Sequence, residues 1–153
     1  MTNKENFLDD ITIVVSAFGS EHEIFISALK NSIINIYPNS KILLIGYDIK
    51  TDDVKINNLK KKIPFVKTSP GSLKIICWNQ GMKLANSKYV LFMDLDTILL
   101  KNINKYLYKL KSSNIDIIFS WRKNELQWVN TGVLVAKKNN RTLDLFNKYE
   151  MNM

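Results

Sequence analysis

The chain is poor in the residues that most often announce a function. It has one cysteine, one histidine, two arginines, three prolines and five glycines among 153 residues. A lone Cys77 excludes an internal disulfide framework, and its place within a helical pattern suits a small buried thiol. His22 alone cannot build a histidine zinc site or a histidine-based triad. Only Arg122 and Arg141 offer the bidentate guanidinium contacts that base readout and phosphate clamping favour, and no lysine run exceeds residues 60–62. The formal charge of +8 therefore reads as a lysine-, isoleucine- and asparagine-rich composition rather than as a dedicated DNA or RNA binder, although it helps draw in a small anion. No apolar stretch approaches the roughly 20 residues of a membrane span, and the opening MTNKENFLDD lacks a signal-peptide core. A cytoplasmic protein with no transmembrane segment is expected.

What is present is a globular composition, 46% hydrophobic, sized for a single domain over residues 1–153 with a polar leader at 1–9. Residues 11–18 and 41–47 are short β-branched or aliphatic runs without polar alternation, as in buried parallel strands. Between them, residues 22–37 repeat at helical spacing, with Phe25, Ala28, Leu29, Ser32, Ile33 and Ile36 as the inner face. A weaker helix is expected near 53–62 and a short edge strand at 63–68, where Pro64 removes a ladder donor. From SPGS a helix runs to about residue 86, with Leu73, Ile76, Cys77, Gly81, Leu84 and Ala85 inward and Lys74 and Asn79 elsewhere. Residues 88–100 read as a strand, 103–112 as a helix, 116–121 and 131–137 as strands, and the chain from Arg141 as a last helix. This alternation predicts an α/β fold, an open, mostly parallel sheet flanked by helices in three layers.

Ligands of such sheets sit outside the carboxyl ends of the strands. At one such end the run VLFMDLDTI places Asp94 and Asp96 two residues apart, on one face if the chain stays extended. Two dry, unpaired carboxylates would cost several kcal/mol, so a compensating group is expected. A hard cation such as Mg²⁺ or Mn²⁺ takes oxygen ligands and completes its shell with water and phosphate oxygens. By itself the pair is weak evidence, because nine aspartates in 153 positions give about half a D-x-D by chance. Its position after an apolar strand is what lends it weight.

ITIVVSAFGSEHEIFISALKNSIINIYPNSKILLIGYD and WNQGMKLANSKYVLFMDLDTILL resemble the nucleotide-binding half of GT-A fold glycosyltransferases, the nucleotide-diphospho-sugar transferase superfamily with its Rossmann-like sheet. VNTGVLVAKKNNRTLDLFNKY resembles the Asn-x-Gly strand and following helix of retaining members. The resemblance spans roughly residues 10–150 and implies a short or truncated member. Carried over by position, it implies that Ser16, Ala17 and Phe18 line a nucleoside pocket and that Asp48 bonds base or ribose. It implies further that Lys74 approaches the phosphates, that Asp94, Leu95 and Asp96 serve ribose and metal, and that Asn130, Thr131 and Gly132 border the sugar. Each has a plainer reading: Phe18 as core, Asp48 as a turn residue, Lys74 as a solvated helix residue, Asn130 and Gly132 as a turn, and Trp78, Trp121 and Trp128 as packing.

The activity the resemblance implies is a metal-dependent glycosyltransferase using Mn²⁺ or Mg²⁺ and a nucleoside diphosphate donor, UDP foremost, with a glycan, protein or lipid-linked acceptor. Two departures bear on it. No histidine follows the D-x-D, and no downstream acid pair offers a general base. The alternative is a non-catalytic nucleotide-sugar-binding module, or an oligomer or subunit whose acceptor site a partner chain completes. A haloacid dehalogenase-like phosphatase, suggested by DLDTILL, fits less well because the glycine of its nucleophile loop is missing.

Overall fold

The computed structural model describes residues 10–18, 24–47, 56–58, 70–121 and 129–151. In chain order the elements are β1 (Ile11–Phe18), α1 (Ile24–Ile36), β2 (Lys41–Tyr47), β3 (Ile56–Asn58), α2 (Pro70–Leu84), β4 (Tyr89–Asp94), α3 (Asn104–Ser112), β5 (Ile117–Trp121), β6 (Val129–Lys137) and α4 (Asn140–Met151). They form one six-stranded sheet in the order β3-β2-β1-β4-β6-β5. β1, β2, β3 and β4 run parallel, and β6 is antiparallel to both of its neighbours.

Strand alternation sorts the core into two layers. Ile11, Ile13, Val15 and Ala17 of β1, with Tyr89, Leu91 and Met93 of β4, pack against Ile26, Leu29 and Ile33 of α1 and Leu107 and Leu110 of α3. Val14 of β1 and Val90 and Phe92 of β4 point the other way, to Ile76, Cys77, Trp78 and Met82 of α2 and Phe146 of α4. Central strands buried on both faces lose polar alternation, which is why β1 and β4 read as continuous apolar runs. Trp78, Phe92 and Phe146 meet with centroids 5.6 to 6.1 Å apart.

Several sequence expectations need correction. Ile56–Asn58 is a strand paired with β2, not part of a helix: alongside a paired edge, three residues suffice for a ladder. The strand expected at 63–68 lies outside the described residues. In α1 the inward face is Ile26, Leu29 and Ile33, whereas Phe25 is 39% exposed and Ala28 is exposed. Two adjacent apolar residues left the rotation of that helix ambiguous. In α2, Leu84 is exposed, while Asn79 is fully buried, its amide donating to Asn147 Oδ1 (3.0 Å) and to Glu150 of α4.

Gly81 sets how closely α2 lies on the sheet. A Cβ there would fall 2.4 Å from Val14 Cγ1, inside any tolerable contact. The helix thus rests directly on the middle of β1, and its N-terminal turns are carried over the carboxyl ends of the parallel strands.

Candidate functional site

β1 and β4 end side by side, with Ser16 in register with Asp94. β6 enters beside them: Met93 pairs with Val133, so Gly132 occupies the next position, opposite Asp94. The Asn130–Gly132 stretch therefore begins its strand where β1 and β4 finish. Asn130 itself pairs with Ser120 of β5. Phe18, the last residue of β1, is in register with Tyr47 at the end of β2. Asp48, one residue further on, lies outside the described residues.

The strand stops at Asp94 rather than continuing to residue 100. Thr97 N–H donates to the Asp94 carbonyl at 3.1 Å, closing a tight turn over residues 94–97. The extended-chain argument for a shared face of the two aspartates therefore fails, and each acid is placed by its own backbone. As an even-numbered β4 residue, Asp94 turns toward α2 and is half-buried. Leu95, 6% exposed, joins the α1/α3 core on the opposite face, so only its main chain borders the mouth. Asp96 is exposed at the turn.

Lys74, one turn into α2, reaches down to this end of the sheet. Its Nζ lies 2.7 Å from Asp94 Oδ2, with side-chain exposures of 16% and 31%. It also stands 5.5 Å from the centroid of Trp78, over the ring. A lysine that sequence alone leaves as a plausible solvated residue is thus the counter-charge of the first aspartate, twenty positions away. Ser16, 4% exposed, has a hydroxyl with no hydrogen-bond partner among the described residues. A buried orphan hydroxyl is uncommon, and Asn79 Oδ1, against α4, is the other buried side-chain atom without a partner among the described residues. Ala17 faces the α1/α3 core, and Phe18 packs partly against the α2 layer, which agrees with its plainer reading.

Elsewhere the ionisable groups are structural. Burial pushes the Cys77 thiol up to about 12, which leaves it protonated and unreactive. Burial likewise raises Tyr37, although the Ile103 N–H donated to its oxygen pulls the other way. Asp116 accepts from Arg141 and Asn139 at the opposite edge of the sheet, and Glu150 is tied to Asn79, so neither acid reaches the mouth.

The mouth offers two carboxylates at a solvent-accessible turn, the first of them paired with Lys74, and the described residues contain no group of three or more His, Cys, Asp or Glu side chains able to hold a metal. A cation there would need water and ligand oxygens to fill its shell, the habit of Mg²⁺ and Mn²⁺. No helix among the described residues is long and apolar enough to cross a membrane.

Comparison with known proteins agrees with this geometry. The family model described as nucleotide-diphospho-sugar transferase matches residues 83–153, a little under half of the chain. No curated protein sequence matches it. Among solved structures, the glycosyltransferase GlyE of Streptococcus pneumoniae is 16% identical with a TM-score of 0.63, covering 92% of this chain and 38% of its own. The galactosyltransferase LgtC, in complex with donor and acceptor sugar analogues, is 12% identical with a TM-score of 0.56, covering 93% and 66%. Glucosyl-3-phosphoglycerate synthase from Mycobacterium tuberculosis, in complex with uridine diphosphate, is 12% identical with a TM-score of 0.57, covering 83% and 57%. The chain thus spans between about two fifths and two thirds of the length of these neighbours. The protein has the α/β fold of the GT-A glycosyltransferases, and over residues 83–153 its sequence matches the nucleotide-diphospho-sugar transferase family.

Proposed function

We propose that this protein binds a nucleoside diphosphate sugar at the carboxyl ends of β1, β4 and β6 and transfers the sugar to an acceptor, with UDP as the nucleotide. The observation that carries the reading is the Lys74–Asp94 pair. It sets a cation and a carboxylate 2.7 Å apart at the mouth of a family-matched strand, where a diphosphate needs positive charge and a metal needs oxygen. One neighbour holds UDP, and another structure of the same synthase holds Mn²⁺, UDP and phosphoglyceric acid, which supports the same ligand chemistry here.

In this reading Asp94 and Asp96 hold Mn²⁺ or Mg²⁺, which supplies charge stabilisation for the departing diphosphate. Lys74 binds a phosphate oxygen, and the N-terminal end of α2 adds its dipole to the same region. Ser16 Oγ gains the partner it lacks by bonding the ligand. Phe18 and the main chain of Ala17, whose side chain is buried in the α1/α3 core, border the nucleoside, with Asp48 on base or ribose, and Asn130, Thr131 and Gly132 lie along the sugar. The leaving group is then stabilised by groups fixed before the ligand arrives, which is where electrostatic catalysis is most effective.

A second reading, donor binding without turnover, is favoured by one observation: of the three described acids after Asp96, Asp116, Asp144 and Glu150, the first is tied to Arg141 and the last to Asn79, away from the mouth. Calorimetric titration with UDP and UDP-sugars, in Mn²⁺ and then in EDTA, combined with assay of UDP release, separates the two. Metal-dependent binding with UDP release supports transfer, and binding without release supports the module. Absence of binding in every condition refutes both.

A further inference from the structure

We infer that the strap leaving the aspartate turn, together with α3, forms a docking surface for an anionic lipid bilayer. The strap, residues 97–103, is held in place rather than loose. Leu99 N–H donates to Ser32 Oγ of α1 (3.1 Å), Ile103 N–H donates to the Tyr37 hydroxyl (2.7 Å), and that hydroxyl donates to Asn104 Oδ1 (3.0 Å). Leu99 and Ile103 pack inward against the α1/α3 core. That fixation turns the flanking residues outward: Ile98 is 59% exposed and Leu100 86% exposed. Among the described residues, little of either aliphatic side chain is packed.

Beyond the aspartate turn the charge along the chain is one-signed. From Thr97 to Ile115 the sequence contains Lys101, Lys105, Lys109 and Lys111 and no acidic residue. Lys105 and Lys109, one turn apart, lie on the side of α3 away from the buried Leu107 and Leu110. Lys101, Lys105 and Lys109 form no ion pair with a carboxylate among the described residues. Tyr106 and Tyr108, 38% and 40% exposed, flank the lysines, and Lys105 Nζ sits 4.6 Å from the Tyr106 ring centroid. Protruding aliphatics, amphipathic tyrosines and unpaired lysines on one continuous stretch are the composition that binds the headgroup boundary of an anionic leaflet. A nucleic acid would match the lysines but would leave Ile98 and Leu100 without a role.

The strap leaves the turn directly after Asp96, so a bilayer on this surface lies at the rim of the mouth. Resting on the donor-site reading above, the acceptor class that follows is a sugar-accepting head carried on a lipid.

The test is sedimentation of the purified chain with vesicles of phosphatidylglycerol and phosphatidylcholine in equal parts, against vesicles of phosphatidylcholine alone, at low and high salt. The expected result is salt-sensitive binding to the anionic vesicles only. Reversing three charges, Lys101→Glu with Lys105→Glu and Lys109→Glu, should weaken it by about a hundredfold or more. Ile98→Ser with Leu100→Ser should weaken it about tenfold or more. Thermal midpoints and UDP affinity are measured on the same preparations. Equal binding to both vesicle types overturns the inference, as does undiminished binding by the folded lysine variant. So does binding that ignores the aliphatic variant while duplex DNA competes fully, because that describes a polyanion surface. Vesicle binding without UDP binding would leave the docking surface standing and refute the donor site.

Discussion

The two edges of the sheet treat polar groups in opposite ways. At the amino edge of the parallel strands nearly every group has a protein partner. Ser87 bonds Thr12 and the Tyr89 carbonyl, Asn139 and Thr142 close a reciprocal turn, and Lys138 caps the Lys83 and Ala85 carbonyls at the end of α2. At the carboxyl edge a buried hydroxyl has no partner among the described residues, two aspartates stand two residues apart, and Lys74 balances the first of them. Satisfied polar groups stabilise a fold, and groups left in want of a partner are what a ligand can satisfy. The contrast makes the carboxyl edge the end where a ligand would find partners to satisfy.

The sharpest way to break that contrast is to change Asp96. Because Asp96 is exposed, Asp96→Asn should leave the thermal midpoint unaltered, while metal-dependent UDP affinity falls more than about a hundredfold, beyond the loss typical of a residue that merely supports a ligand. A fall in stability with intact binding would reverse the assignment of the two edges. Gly81→Ala should act on the fold itself. The new methyl must displace Val14 or lift α2, costing about 1–3 kcal/mol in denaturant titration, and UDP affinity should fall with it because Lys74 rides on the same helix.

Lys74→Met sharpens the comparison through opposite signs. Freed of its counter-ion, Asp94 should bind Mn²⁺ more tightly in the absence of nucleotide, whereas UDP affinity in Mn²⁺ should drop about tenfold, the scale of one charge-assisted hydrogen bond. A parallel loss of both would mean that Lys74 only holds the carboxylate in position. At the other edge, Asp116→Ala removes the pair with Arg141, in which the carboxylate is only 19% exposed, together with the acceptor of Asn139, and should cost about 1–3 kcal/mol, with UDP binding unchanged. The smallest effect concerns Cys77. Buried and with its pKa raised to about 12, the thiol should resist modification at neutral pH until the chain is denatured. Its protonated state contributes stability that is fully present below the unfolded thiol's value and declines as pH rises toward 12. A folded chain that reacts at neutral pH would show that α2 opens away from β1.

Much of this arrangement was legible in residue order. β1, β2 and β4 announce themselves because burial on both faces removes alternation, and the aspartates stand out as charges ending such a run. What was hidden has physical reasons. The turn over residues 94–97 contains no glycine, proline or asparagine, and although Asp94 suits the first position of a turn, the aliphatic residues 98–100 beyond it read as the same strand continuing. Asn79 reads as a surface residue until α4, nearly seventy positions later, supplies its partners. Lys74 has the same problem in milder form: its helical position is readable, but its partner is a product of α2 lying flat on Val14. The three-residue β3 exists only because β2 offers it an edge.

Leu95 carries a further consequence. It separates the two aspartates in sequence, yet its side chain is enclosed by the α1/α3 layer, on the face that holds none of the charged groups of the site. A selection experiment that randomises residues 94–96 together should therefore return two unrelated alphabets. The outer positions would be filtered by ligand affinity and would accept only oxygen-bearing acids. The central one would be filtered by protein yield and would accept only aliphatic residues of similar size, whatever the donor. The motif is one word in the sequence, but it answers to two separate judges.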